Sequence, residues 1–160
     1  MPVNSVQKDP DDLTMTVEAT FDAPIARVWE MWEDPRLLER WWGPPTYPAT
    51  VVNHDLAVDG SVNYHMTGPE EDRHHGWWRV LAVDAPRKLE FEDGFADDNG
   101  KPNPEMPVTT TLVELAENPD GGTVMTIETT FPSLEAMEQM VEMGMEEGFT
   151  LAVNQIDALL

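Results

Sequence analysis

The chain has 160 residues, of which 41% are hydrophobic, and a formal net charge of −22 at pH 7. This length and composition are typical of one globular domain with its own core and exclude a wholly disordered chain. A strongly acidic protein repels polyanions, so the charge excludes nucleic acid as a partner and disfavours anionic membranes.

Three further features of the composition concern the compartment. The acidity indicates either a general need for solubility or a salt-rich cytoplasm, since lysine occurs only at Lys8, Lys88 and Lys101. The absence of cysteine removes disulfides and thiolate nucleophiles and fits a reducing compartment. The N-terminus lacks the basic start and apolar centre of a signal peptide, and no apolar run approaches the ~20 residues that a bilayer requires. We therefore expect a cytoplasmic protein.

The first third of the chain predicts a strand followed by two short helices. Residues 1–12 are polar without periodicity, which predicts a flexible tail before a single domain over residues 13–160. Alternating apolar residues from Leu13 to Ala19 predict the first strand. Pro24 suits a first helical turn, and apolar residues three and four positions apart predict a helix over 24–33. One further turn over 36–41 leads into the stretch ERWWGPPT.

Six strands and a terminal helix follow. The predicted strands are Ala49–Asp55, Ser61–Thr67, Gly76–Asp84, Lys88–Phe95, Val108–Glu117 and Thr123–Phe131. Ser133 is a suitable N-cap for one long helix, whose apolar residues recur at three- and four-residue steps to the end of the chain. The order predicts an α+β fold in which an antiparallel sheet is covered by this helix. A curved sheet that grips one helix often leaves a pocket between them.

The chain resembles the helix-grip superfamily, also called START-like or SRPBCC, and within it the branch similar to the activators of the heat-shock protein 90 ATPase. Four stretches carry the resemblance: APIARVWEMWEDPRLLERWWGPP, the hairpin at Gly60, GWWRVLAVDAPRKLEFEDGF and GMEEGFTLAVNQIDALL. The usual Asp-x-Arg-x-Gly-Gly of the second hairpin is replaced by residues 55–61, DLAVDGS, so no role of that arginine is transferred.

The resemblance implies a curved antiparallel sheet around a long C-terminal helix, with a hydrophobic cavity between them. Members of the superfamily bind lipids, polyketides, hormones and other apolar ligands, and some catalyse cyclisation or dehydration. Function cannot be assigned from the fold alone. The resemblance implies a ligand-binding set that combines aromatic, methionine and glycine positions: Trp42, Tyr64, Met66, Trp78, Phe91, Phe95, Met140, Gly144, Gly148 and Phe149.

The two glycines of the predicted terminal helix lower the stability of that helix, and this loss needs an explanation. Glycine inside a helix costs about 0.8–1 kcal/mol relative to alanine. We expect Gly144 and Gly148 to admit large side chains close to the helix, with the paired tryptophans as candidates. A bulky residue at either position is predicted to fill the pocket.

Catalytic and metal-binding signatures are missing from the sequence. There is no HExxH, P-loop, dinucleotide fingerprint or Gly-x-Ser-x-Gly stretch. His54 and His65 lie on neighbouring predicted strands and could face each other, whereas the adjacent His74 and His75 point to opposite faces and chelate poorly. Ordinary polar histidines are therefore favoured over a metal site, and we predict neither a catalytic residue nor a cofactor.

Two other features have alternative interpretations. Arg79 either points inward toward an anionic partner or outward, and the cost of an unpaired buried charge favours outward. The loop ADDNGKPNPEMP lacks the ligand spacing of a calcium loop and is interpreted as a flap beside the pocket. In ERWWGPPT we expect Trp41 to pack in the core and Trp42 to reach the cavity mouth, because adjacent side chains do not share one destination.

The sequence leaves three functions open. The first is a non-enzymatic protein that binds a small apolar or amphipathic ligand. The second is a cyclase- or hydrolase-type enzyme that uses polar residues of the pocket, and the third is a chaperone-associated interaction module. A homodimer is compatible with exposed strand edges.

Overall fold

A computed structural model describes residues 2–160 of the chain. Eight strands form one antiparallel sheet: β1 (Val3–Asp9), β2 (Thr14–Phe21), β3 (Ala49–His54), β4 (Ser61–Thr67), β5 (Arg73–Asp84), β6 (Lys88–Ala96), β7 (Thr109–Glu117) and β8 (Thr123–Thr130). The helices are α1 (Ile25–Glu33), α2 (Pro35–Trp41), α3 (Leu134–Glu142) and α4 (Met145–Asn154), with a short 3-10 turn over Ile156–Leu159. The predicted α+β class and the six consecutive strands are confirmed.

Strands β3 to β8 form a meander, and β2 and β1 extend the sheet beyond β8. Its order is β1-β2-β8-β7-β6-β5-β4-β3, with every neighbouring pair antiparallel. The helical pair α1–α2 carries the chain between β2 and β3, which lies at the far edge of the sheet. Consequently one curved face of the sheet is covered by α1 and α2 and by the C-terminal helices.

The covered face has the alternation that a half-buried sheet requires. Buried positions in β2 are Met15, Val17, Ala19 and Phe21, and the intervening residues are more exposed. Trp32 of α1 lies within this core with an edge-to-face contact to Trp41 at 4.8 Å between ring centroids. The large aromatic side chains therefore fasten the two short helices to the sheet.

The prediction of a flexible tail over residues 1–12 is wrong for residues 3–9, which form β1. β1 pairs with β2 along its length, with Val6 opposite Val17. Lys8 Nζ lies 2.7 Å from Glu146 Oε1, so β1 also contacts α4. An edge strand gains backbone hydrogen bonds from its one neighbour and needs little apolar alternation, which is why hydrophobic periodicity missed it. Residue 1 lies outside the described residues.

The single long terminal helix that was predicted is two helices. Gly144 has a φ of +87° and separates α3 from α4, and its N–H donates to the Val141 carbonyl at 3.0 Å. Glycine adopts this left-handed conformation without the steric penalty of a β-carbon. Gly144 is thus explained by its backbone conformation, and not by close packing as we expected. Across residues 2–160, no helix has both the length and the apolar character needed to cross a membrane.

Candidate functional site: a cavity between the sheet and the terminal helices

A cavity of about 230 Å³ lies between the covered face of the sheet and the two terminal helices. Such a volume is below the roughly 300–1,000 Å³ of pockets that hold drug-sized ligands. Its lining combines apolar, aromatic and a few polar residues: Trp42, Pro44, Tyr64, Met66, His74, His75, Gly76, Asp93, Gly94, Phe95, Thr109, Thr111, Thr129, Met140, Met145, Gly148 and Phe149. The space suits a ligand of one or two rings.

The helical wall of the cavity is apolar. Met140 from α3 and Met145 and Phe149 from α4 line it on the two sides of the Gly144 break. A β-carbon at Gly148 would have no heavy atom within 4 Å, so the missing side chain leaves open volume. Gly148 therefore widens the cavity, whereas we had expected it to receive a packed side chain. Methionine side chains adapt readily to irregular ligand shapes.

Trp41 packs in the core as predicted, and Trp42 lines the cavity, but Trp42 is also buried and contacts the Trp41 ring with centroids 5.5 Å apart. Trp41 is fully buried, and its Nε1–H donates to the Met31 carbonyl at 2.9 Å. Trp42 lines the cavity and makes edge-to-face contacts with Trp78 at 4.9 Å and Phe149 at 5.9 Å. Trp41 thus holds α2 on α1, and Trp42 forms part of the cavity wall.

Gln155 fixes the connection that follows Trp42. Its Nε2 donates to the carbonyl oxygens of Gly43 at 2.8 Å and Trp41 at 3.3 Å. A β-carbon at Gly43 would lie 2.0 Å from the Tyr47 carbonyl oxygen, so the turn admits only glycine there. The C-terminal residues and this tight turn together determine where the Trp42 indole lies.

Replacing Gln155 by alanine should therefore destabilise the domain by about 1–3 kcal/mol, because two carbonyl groups lose their side-chain donor. Chemical denaturation measures the change. Gln139→Ala, at an exposed position of α3, is the matched control and should stay within about 0.5 kcal/mol of the wild type. Equal effects of the two substitutions would show that Gln155 does not hold the turn.

A hydrogen-bonded pair of Tyr64 and Asp93 lies in the sheet wall of the cavity. Tyr64 Oη donates to Asp93 Oδ1 at 3.0 Å, and both residues line the cavity. Burial raises the pKa of Asp93 to about 7, while the hydrogen bond from Tyr64 acts in the opposite direction. Burial, followed by the nearby Asp93 carboxyl, raises the pKa of Tyr64 well above its ordinary value. Tyr64 is therefore a proton donor, and Asp93 titrates near neutral pH.

Two indole groups flank the Tyr64 hydroxyl. The N–H groups of Trp42 and Trp78 are close enough to lower the Tyr64 pKa, although neither reaches hydrogen-bond geometry. Both Nε1 atoms are buried and have no partner among the residues that the structure describes. Buried N–H donors without a partner are uncommon in folded proteins. Both donors lie next to the Tyr64 hydroxyl, although Trp78 does not itself line the cavity.

Threonine hydroxyls extend this polar wall. Thr109 and Thr111 of β7 and Thr129 of β8 are buried and line the cavity, and Thr109 Oγ1 donates to the Asp93 carbonyl at 3.3 Å. The cavity is consequently amphipathic, with an apolar helical wall and a sheet wall that carries hydroxyl groups and one carboxyl.

The structure brings together most of the predicted binding residues. Those that line the cavity are Trp42, Tyr64, Met66, Phe95, Met140, Gly148 and Phe149. Trp78 and Phe91 lie instead in the fully buried layer next to Trp42, stacked on each other with ring centroids 3.9 Å apart. Gly144 is at the helix break and does not line the cavity. A role of the lining residues in ligand binding stays a prediction.

The predicted site lacked Asp93 and the three threonines, although the alternation along β6, β7 and β8 indicates which face they occupy. Leu89 and Phe91 are the buried side chains of β6, and side chains two positions apart share one face of a strand, so Asp93 and Phe95 follow on the same face. Thr109 and Thr111 precede Val113 and Leu115 in the same way on β7. The period-two rule identifies these polar residues once the inward face of each strand is known.

The histidines do not converge. His54 pairs with Val62 in the sheet and its Nε2–H donates to the Trp32 carbonyl at 3.0 Å, so it does not face His65. His65 instead lies beside His75, with ring centroids 5.5 Å apart, and His74 pairs with Asp72 at 2.7 Å. No group of three metal-ligating side chains occurs within residues 2–160.

The structure also locates Arg79 and the loop ADDNGKPNPEMP after β6. Arg79 points outward, where its guanidinium lies 3.4 Å from Asp59 and 3.8 Å from Glu92. The loop predicted as a flap contributes no residue between 97 and 107 to the cavity. It folds onto the outer face, where Asn63 Nδ2 donates to the Gly100 carbonyl at 3.4 Å. The bridge between Ala96 and Pro102 holds the loop against β6, and Asp98 lies 3.7 Å from the cavity residue His75, so the loop lies beside the cavity without lining it.

Several known structures are similar to this chain. The chain is 49% identical to a protein of Mycobacterium smegmatis, covering 99% of this chain and 97% of that one with a TM-score of 0.92. It is 52% identical to a protein of Arthrobacter aurescens, covering 96% and 89% with a TM-score of 0.91. The CalU16 protein of Micromonospora echinospora is 20% identical over 89% and 73%, with a TM-score of 0.59, and shares the fold alone.

The family comparison covers nearly the whole domain. No curated protein matches the sequence. The family model described as "Activator of Hsp90 ATPase homolog 1-like protein" matches residues 22–160, which include every element that builds the cavity wall. With the helix-grip arrangement of sheet and terminal helices, the match confirms the resemblance found in the sequence. The chain belongs to the family of proteins like the activator of Hsp90 ATPase homolog 1.

Proposed function

We propose that this protein binds a small apolar or amphipathic molecule in the cavity between the sheet and the terminal helices. The observation that supports the proposal is the open cavity itself, lined by Trp42, Met140, Met145 and Phe149 next to a closely packed aromatic core. Protein interiors contain few voids larger than a water molecule, so a cavity of this size favours a ligand site over a packing defect.

Native mass spectrometry after mild purification tests this function. The expected result is a bound species of low molecular mass that dissociates on collisional activation and is absent from the denatured spectrum. Protein that is repeatedly empty, and that also fails to bind the two-ring hydrocarbon indane in titration calorimetry, would contradict the proposal.

A second candidate is acid–base chemistry of the cyclase or hydrolase type. It is favoured by Asp93, which has a pKa of about 7 and lies in the cavity beside Tyr64. A carboxyl group that titrates near neutral pH is suited to general-base catalysis. Such a base should accelerate deuterium exchange at the α-carbons of 2-indanone, followed by NMR, with Asp93→Asn as the control. Exchange no faster than in buffer would exclude this chemistry for that carbon acid.

The interaction-module hypothesis has less support from the arrangement. A module of that kind should have a filled interior and one continuous apolar patch on its surface. Here the interior has an open cavity, and the most exposed apolar residues, Val52 and Val58, lie at the β3 edge and in the turn before β4.

A further inference from the structure

Asp93 is a carboxyl group that lacks a counter-ion. The only side-chain hydrogen bond that its carboxyl makes with the described residues is the one from Tyr64 at 3.0 Å. Neither lysine nor arginine is among the described residues that line the cavity. A buried carboxylate is costly unless a cation or several donors compensate it.

The other titratable groups around the cavity do not neutralise Asp93. Tyr64, from β4, holds its proton and contributes no positive charge. His74 and His75, from β5, also line the cavity, but each is next to another carboxyl group: His74 Nε2 lies 2.7 Å from Asp72 Oδ2, and His75 Nε2 lies 3.7 Å from Asp98 Oδ1. β7 contributes the neutral Thr109, and Met140, Met145 and Phe149 of the terminal helices carry no charge. The position opposite Asp93 is therefore free for a positive group of a ligand.

The surrounding donors favour the ionised form of Asp93. The two indole N–H groups adjoin the Tyr64 oxygen, and Tyr64 donates its own proton to Asp93 Oδ1. The bond from Tyr64 lowers the Asp93 pKa, but burial has the larger effect and raises it.

We propose that the cavity takes a small aromatic or alicyclic amine whose ammonium group supplies the counter-ion that Asp93 lacks. The inference rests on the proposed function and specifies its ligand class. Trp42, Tyr64 and Phe149 surround the site with aromatic rings, which attract a desolvated cation by about 0.5–2 kcal/mol. The net charge of −22 also raises the local concentration of cations and lowers that of anions.

The ionisation of Asp93 gives the proposal a pH signature. Because the pKa of Asp93 is about 7, the carboxylate forms as the pH rises from 6 to 8. An aliphatic ammonium group remains charged over that range, since its pKa is close to the lysine value of about 10.4. Amine affinity should therefore rise with pH, whereas the affinity for a neutral hydrocarbon should not rise, because the hydrocarbon leaves the carboxylate uncompensated.

Titration calorimetry with three matched probes tests the proposal: 2-aminoindane, 2-indanone and indane. Wild-type protein should prefer 2-aminoindane over indane by about 10–100-fold at pH 8, the equivalent of a charged hydrogen bond of about 1.5–3 kcal/mol. Asp93→Asn should remove this preference, so that 2-aminoindane binds no more tightly than indane, since asparagine keeps the shape of the side chain but supplies no counter-charge. Glu90→Gln removes the same charge from the outer face of β6 and should preserve the preference.

The outcomes separate this inference from the proposed function. Binding of indane without a preference for the amine overturns the inference alone, and so does a preference that survives Asp93→Asn. A preference for 2-indanone means that the neutral acid donates to a carbonyl, which also overturns it. Failure of all three probes to bind overturns both proposals. If Asp93→Asn does not fold, the wild-type pH profile decides, because amine affinity that does not change between pH 6 and pH 8 contradicts the proposal.

Discussion

Replacing Gly148 by leucine should weaken the binding of indane at least about tenfold, a loss of about 1.4 kcal/mol, without destabilising the domain. A β-carbon at this position meets no heavy atom within 4 Å, so the new side chain enters the cavity and occupies the space of the ligand. Leucine is a much better helix former than glycine, so the free energy of unfolding should rise by up to about 1 kcal/mol. Calorimetric titration and chemical denaturation measure the two effects.

Gly148→Ala is the matched control for this substitution. It brings nearly the same gain in helix propensity but fills only one methyl group of the cavity. It should therefore match the leucine variant in stability and the wild type in affinity to within a few-fold. Unchanged indane affinity in Gly148→Leu would show that the ligand does not occupy the space beside α4.

Replacing Asp93 by asparagine should change how stability depends on pH. The folded-state pKa of Asp93 is about 7 and the ordinary value is 3.8, so the folded protein retains a proton that the unfolded chain releases. A raised pKa gives stability that is complete below 3.8 and is lost as the pH rises to 7. Relative to Asp93→Asn, the wild type should lose at most about 3 kcal/mol between pH 5 and pH 8, an upper limit because the cavity admits water.

Denaturation of both proteins at pH 5 and pH 8 measures this difference, and pH 5 is above the isoelectric point of about 4.1. Tyr64→Phe is an informative companion. Because Tyr64 donates to the carboxylate and lowers the Asp93 pKa, its removal should raise that pKa further and move the loss of stability to higher pH. Parallel pH profiles of the wild type and Asp93→Asn would contradict the burial of this carboxyl group.

Much of the fold follows from local sequence patterns. The apolar alternation predicted β2, and Pro24 with the three- and four-residue spacing predicted α1, because each pattern matches the geometry of one structure type. β1 was missed because an edge strand is held by backbone hydrogen bonds to β2, which the side-chain pattern does not report. The break at Gly144 was missed because the apolar period continues across it, while the conformation depends on one backbone angle.

The site was predictable in its apolar part and missed in its polar part. Trp42 and Phe149 are aromatic residues in stretches that resemble a known family, and both line the cavity. Asp93 is an acidic residue in a chain with 31 aspartates and glutamates, so its type alone carries no signal. Its importance arises from the face of β6 that it occupies and from Tyr64 on β4, 29 residues away in sequence. Only the register of three neighbouring strands brings these two groups together.

Fluorine NMR of protein labelled with 5-fluorotryptophan tests the ligand site most directly. The six tryptophans give one resonance each, and the Trp42→Phe variant assigns the one that reports on the cavity. On titration with indane, the Trp42 resonance should shift, whereas Trp29 on α1 and Trp77 on the outer face should remain unchanged. A Trp42 resonance that does not respond to indane, or a uniform shift of all the signals, would contradict a ligand site between the sheet and the terminal helices.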